Sequence, residues 1–159
     1  MGKRIVSAWL PVVGMCVIIF LFSQDAHSGR HSMEVLGWVL WLLHADTPRN
    51  VYLWNEPFRK FAHVVVYFLL SLTAYRGFAM GQLRFRWGAA VRTIIFCALY
   101  AASDEYHQSF IKGRGPSARD VGIDSGAAVV ALVLIWLWLR CDRGRTQVAE
   151  LATGERAAH

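Results

Sequence analysis

The sequence predicts an all-α membrane protein of about four transmembrane helices plus a short interfacial or re-entrant helix near residues 33–43, on three observations. Hydrophobic residues make up 55% of the 159 and the mean hydropathy is +0.34, too apolar for a soluble fold of this length. The apolar residues fall in separate runs of near membrane-crossing length. Basic residues bracket those runs, so the formal net charge of +6 reads as membrane flanking. It does not read as a nucleic-acid surface, which would gather the charge on one stripe. Cys16 and Cys97 lie inside apolar runs and Cys141 just beyond the last, as small packing residues and not as a disulfide or CxxC framework.

Lys3 and Arg4 precede an apolar run over residues 5–22. Its length approaches the roughly 20 residues that cross the hydrocarbon and exceeds the roughly 7 to 15 of a secretory signal core, which predicts an uncleaved first span. Cleavage at Ala26-His27-Ser28 is the alternative. Pro11 and Gly14 interrupt the run, as neighbouring helices allow in a membrane. Residues 23–30 are polar and turn-like, and the apolar piece at 33–43 is too short to span. Trp38, Trp41, Tyr52 and Trp54 suit the aromatic belt at the headgroup level, with Asp46-Thr47-Pro48-Arg49-Asn50 as a turn between them.

Pro57 suits the first turn of a helix, where its missing N–H costs nothing, and residues 58–75 follow as the second span. Residues 76–87 are predicted as a loop, with Gly77 and Gly81 as breakers. The third span covers 88–108, with Arg92 placed to snorkel. Lys112-Gly113-Arg114-Gly115-Pro116-Ser117 forms a tight loop, and Ser117-Ala118-Arg119-Asp120 has the form of a capping box opening a fourth span that ends at residue 139. Gly122 and Gly126 make a GxxxG on the other side of that helix from Asp120 and Asp124, predicting close helix contact there. Residues 1–141 are thus one membrane domain, and 142–159 a polar tail with no apolar periodicity, expected to be disordered and cytoplasmic.

Such a layout puts both termini on one side with Lys3, Arg4, Arg76, Arg84, Arg86, Arg92, Arg140, Arg143, Arg145 and Arg156. The other side holds Arg30, Arg49, Arg59, Lys60, Lys112, Arg114 and Arg119. By the positive-inside rule the termini are cytoplasmic, and every unusual polar group then falls in the extracytoplasmic half of a multi-pass protein.

Those polar groups are the functional signal, because ionisable side chains in a membrane need partners, water or a task. Arg59, His63 and Tyr67 recur at i, i+4 and i+8, with Lys60 beside them, as one stripe on an otherwise apolar helix. Asp104-Glu105-Tyr106-His107-Gln108 closes the third span, Asp104, His107 and Gln108 sharing a face, and Asp120 and Asp124 share an edge of the fourth. A closed ion-pair network is the plainest use for them. Perturbed charges gathered in one place also mark functional sites. His63, Asp104, Glu105, His107, Asp120 and Asp124 include ligand types for Zn²⁺, Mn²⁺ or Mg²⁺, but no spacing is diagnostic, so no metal or cofactor is assigned. Ser103, Ser117 and Ser125 stand in no GxSxG or Cys–His arrangement. Arg59, Lys60, Arg114 and Arg119 together suit an anionic group such as a phosphate.

The run of Ser23-Gln24, Arg59-Lys60-x-x-His63-x-x-x-Tyr67, Asp104-Glu105-x-His107-Gln108, Arg114, Ser117, Asp120-Val121 and Gly126 resembles the VanZ-like family of small bacterial integral membrane proteins. Ser125 stands where many relatives have Asn. The resemblance implies a multi-pass helical domain in the bacterial cytoplasmic membrane and an association with cell-envelope and teicoplanin-type glycopeptide phenotypes. It carries over Gln24, Arg59, Lys60, Tyr67, Gln108, Arg114, Ser117 and Asp120 as polar signature, beside which Asp124 is a further ligand-binding candidate. Two activities stay open. In one, the site binds a membrane lipid, a lipid-linked cell-wall precursor or a glycopeptide antibiotic. In the other it is an enzyme on such a substrate, with Glu105 or Asp104 as general acid or base and His63 or His107 as its partner. Binding is preferred, since no nucleophile or metal motif is decisive. A proton-coupled transporter ranks third for want of an inverted repeat.

Overall fold

The computed structural model describes residues 2–23, 28–44, 47–80, 82, 84–110 and 117–157, and within them all side chains but those of residues 4, 22, 28–32 and 143–157. Five helices and no strand are present among them: α1 (Gly2–Ser23), α2 (Ser28–Leu42), α3 (Pro48–Ala79), α4 (Trp87–Gln108) and α5 (Ala118–Ala157). The all-helical class is as expected. α3 packs against each of the other four, α4 also packs on α5 and α1, and α2 lies against α3.

Two helical stretches, Pro48–Ala79 and Ala118–Asp142, are long and apolar enough to cross a membrane. Ile5–Leu21 and Met33–Leu42 are apolar but shorter. α4 carries Arg92, Asp104 and Glu105 within 22 residues, which keeps it out of that class.

α3 begins at Pro48, nine residues before the predicted Pro57 start. Both prolines satisfy the first-turn rule. Thr47 decides between them, because its hydroxyl accepts the Asn50 N–H at 3.3 Å and caps the helix. Pro57 is therefore internal, and Thr47 to Asn50 cap and open α3 where a turn was expected; Asp46 lies outside the described residues. At 32 residues α3 is about 48 Å long, more than the roughly 30 Å of hydrocarbon requires. Gly77 is likewise helical and not a breaker. A Cβ there would stand 3.4 Å from the Trp9 indole, an ordinary packing contact, so α1 lies directly against this turn of α3. The helix stops at Met80, in the left-handed conformation at φ 54°.

Small side chains set the helix spacing. Ser71 and Ala74 on α3, Cys97 and Ala101 on α4, and Ala127, Ala128 and Ala131 on α5 are all buried, and Ser71 Oγ donates to the Ala128 carbonyl at 2.9 Å. Val12, Ile19, Tyr67 and Leu70 fill the space between. Gly122 and Gly126 do not lie at this contact: both are exposed, and a Cβ on either meets nothing within 4 Å. The close face of α5 is the alanine one, which also carries Asp124 one turn before Ala127 and Ala128.

Tyr100 O–H donates to the Cys16 carbonyl at 2.6 Å and ties α4 to α1. At the far end Tyr75, Ala79, Ala89, Ala90 and Leu132 form a second cluster, where the Arg86 N–H donates to Tyr75 Oη at 3.0 Å and holds the α3–α4 connection. α5 continues to Ala157, where residues from 142 were expected to be disordered. Gln147, Ala149, Glu150, Leu151 and Ala152 favour helix, and no proline interrupts them, so the preceding helix propagates.

Candidate functional site

The body of α3 and the facing ends of α4 and α5 meet around one cavity. α3 contributes Arg59, Lys60 and His63, which fall within one turn; the last turn of α4 contributes Glu105 and Gln108; the first two turns of α5 contribute Asp120, Ile123 and Asp124. The cavity is about 30 Å³, room for a water-sized group.

Its walls are held by a chain of polar contacts. Gln108 Nε2 donates to Asp104 Oδ2 at 2.9 Å and to Ser23 Oγ at 3.2 Å, joining α4 to the end of α1. Asp104 stands behind the lining residues, buried, with His63 Nδ1 4.0 Å from its carboxylate. Glu105 is buried too and accepts the Ser117 N–H at 2.9 Å, so the end of α4 grips the start of α5. Ser117 Oγ in turn accepts the Asp120 N–H at 3.2 Å, the cap expected from the sequence. Ser117 thus positions the lining groups.

The charged side chains divide by depth. Lys60 Nζ lies 3.5 Å from Asp120 at the partly exposed rim, and Arg59 bonds Glu56 one turn back on its own helix at 3.0 Å. Asp124 is 4% exposed, lines the cavity, and has no hydrogen-bond or ion-pair partner among the described residues. Tyr67 is fully buried one turn below His63, with ring centroids 6.4 Å apart, and its hydroxyl has no partner among the described residues. It does not line the cavity. No three His, Cys, Asp or Glu side chains among the described residues are gathered as a metal site.

The VanZ/LLP1 family model matches residues 8–139, every helix of the bundle included. This chain belongs to the VanZ/LLP1 family. No match was found among curated proteins or among solved structures.

Of the residues expected at the VanZ/LLP1 site, Arg59, Lys60, His63, Glu105, Gln108, Asp120 and Asp124 line one cavity, with Asp104 and Ser117 directly behind. His107 is not with them. Its ring packs on Phe20 of α1 with centroids 5.3 Å apart. Gln24 and Arg114 lie outside the described residues. Glu56 was not anticipated, although its spacing three residues before Arg59 is the signal for the pair it makes. Ile123 was also missed, and nothing in its sequence context distinguishes it from the other apolar residues of the span.

Proposed function

We propose that this VanZ/LLP1 protein is a multi-pass protein of the bacterial cytoplasmic membrane whose polar cavity binds a lipid headgroup, a lipid-linked cell-wall precursor or a lipophilic glycopeptide-type antibiotic. Occupancy changes envelope or antibiotic susceptibility, and no bond is broken. Four spans are proposed: α3, the Ala118–Asp142 part of α5, α1, and α4 with its acidic groups turned into the bundle. Both termini are cytoplasmic and the cavity is extracytoplasmic.

The convergence of charged groups from three helices on one cavity carries this reading. Binding fits better than catalysis because most of the carboxylates are already engaged: Asp104 by Gln108, Glu105 by Ser117 and Asp120 by Lys60. Mass-spectrometric identification of lipids co-purifying with the full-length chain tests it. One polar lipid or lipid-linked species enriched over the bulk membrane is expected; a profile identical to the bulk contradicts it.

One observation favours a second reading. His63 Nδ1 stands 4.0 Å from the Asp104 carboxylate, and His63 and Glu105 both line the cavity, so an imidazole and two carboxyl groups stand together as acid–base candidates. An enzyme built on it would act on lipid-linked or cell-wall-related substrates, with Glu105 or Asp104 as general acid or base and His63 as its partner.

A further inference from the structure

We infer that the cavity recognises a primary ammonium group on its ligand, with Asp124 as the anionic partner. The inference rests on the headgroup-binding reading and names the chemistry that the headgroup must carry.

Asp124 is the first reason. It is 4% exposed and faces the cavity, where the buried Glu105 lies beside it. A buried carboxylate with no hydrogen-bond or ion-pair partner among the described residues is costly to keep, and a donor entering the cavity relieves that cost.

The second reason is the radial order of charge. Glu105 and Asp124 are buried, whereas the Lys60 and Asp120 side chains are 49% and 29% exposed and Arg59 is 24% exposed. The floor is acidic and the rim carries the bases. A ligand with its cation inward and a phosphate outward, near Arg59 and Lys60, matches that order. A ligand presenting a phosphate to the floor meets carboxylates.

Size supplies the third. About 30 Å³ holds a water-sized group, and –NH₃⁺ is one, with three N–H donors for the Asp124 oxygens and the neighbouring Glu105. A trimethylammonium carries no N–H to give those oxygens. A phosphoethanolamine headgroup offers this ammonium, and so does a free amine.

The test compares phosphatidylethanolamine, phosphatidylcholine and phosphatidylglycerol of identical acyl chains, with native mass spectrometry reading occupancy of the full-length protein in mixed micelles. Phosphatidylethanolamine should be retained about tenfold or more over the other two, lose that advantage in Asp124→Asn, and keep it in Asp124→Glu. Free ethanolamine added to the micelles separates the sources. Displacement of the lipid shows that the ammonium alone is the recognised unit; failure to displace assigns the whole lipid headgroup. Equal retention of phosphatidylcholine, or an ethanolamine preference that survives Asp124→Asn, overturns the ammonium. So does a phosphatidylglycerol preference, which leaves headgroup binding standing; retention of none of the three lipids together with a co-purified lipid profile identical to the bulk overturns both. Should Asp124→Asn fail to accumulate, the three-lipid comparison on the unaltered chain decides.

Discussion

The side-chain amide of Gln108 donates to the carboxylate of Asp104 one turn earlier on α4, at 2.9 Å, and both groups are buried. The same amide reaches Ser23 Oγ, so one side chain neutralises the polarity of a buried carboxylate and joins two helices. Gln108→Glu places two carboxylates at i and i+4 in that setting. It is predicted to lower the thermal unfolding midpoint more than Gln108→Ala, which forfeits about 1.5 to 3 kcal/mol for a hydrogen bond to a charged acceptor. Equal midpoints for the two variants would mean that water reaches Asp104.

Helix packing makes the opposite demand on two small residues of α5. Gly126 has open space where a Cβ would stand, while Ala128 is fully buried against Ser71. Gly126→Ala should therefore be neutral or stabilising by about 0.5 to 1 kcal/mol. Ala128→Leu should destabilise by about 1 to 3 kcal/mol through overpacking. Unfolding midpoints in detergent distinguish them, and a larger loss for Gly126→Ala would show that the glycine face is the one in contact.

Tyr67 buries a hydroxyl with no partner among the described residues. Removing it in Tyr67→Phe should leave the unfolding midpoint unchanged or raised, since an unmade hydrogen bond in the core costs about 1 to 3 kcal/mol. A lowered midpoint would reveal a partner for the hydroxyl in the folded protein.

The polar cluster was legible because Arg59, Lys60 and His63 fall within one turn, and because Asp104 to Gln108 and Asp120 to Asp124 sit at helix ends joined by a short loop. What periodicity cannot supply is which face points inward. His107 and Gln108, three and four residues on, stand to either side of Asp104 on the same face of α4, and only packing turned Gln108 to the cavity and His107 to Phe20. Gly122 and Gly126 misled for the same reason: a small-residue spacing marks a face that permits contact, and Ala127, Ala128 and Ala131 made the contact instead. Pro48 and Pro57 read alike in sequence, and a single threonine hydroxyl separated them.

The orientation proposal is open to a direct check. A phosphatase reporter, active only outside the cytoplasm, should be active when fused near Arg49 and inactive when fused after Arg143. The reverse pattern would place the cavity on the cytoplasmic side.

Binding without bond cleavage is tested most directly by Glu105→Gln, which keeps the shape of a cavity-lining side chain and removes its ability to transfer a proton. Loss of a general acid or base costs about 10² to 10⁴ in rate, which more ligand cannot restore, whereas loss of a hydrogen bond to a charged group costs about 1.5 to 3 kcal/mol of affinity, which more protein and ligand can. The measurement is envelope or glycopeptide susceptibility of cells overproducing Glu105→Gln, alongside lipid occupancy of the purified variant. The phenotype is predicted to return with overproduction and to follow occupancy; a folded, fully occupied Glu105→Gln protein with no phenotype would contradict it.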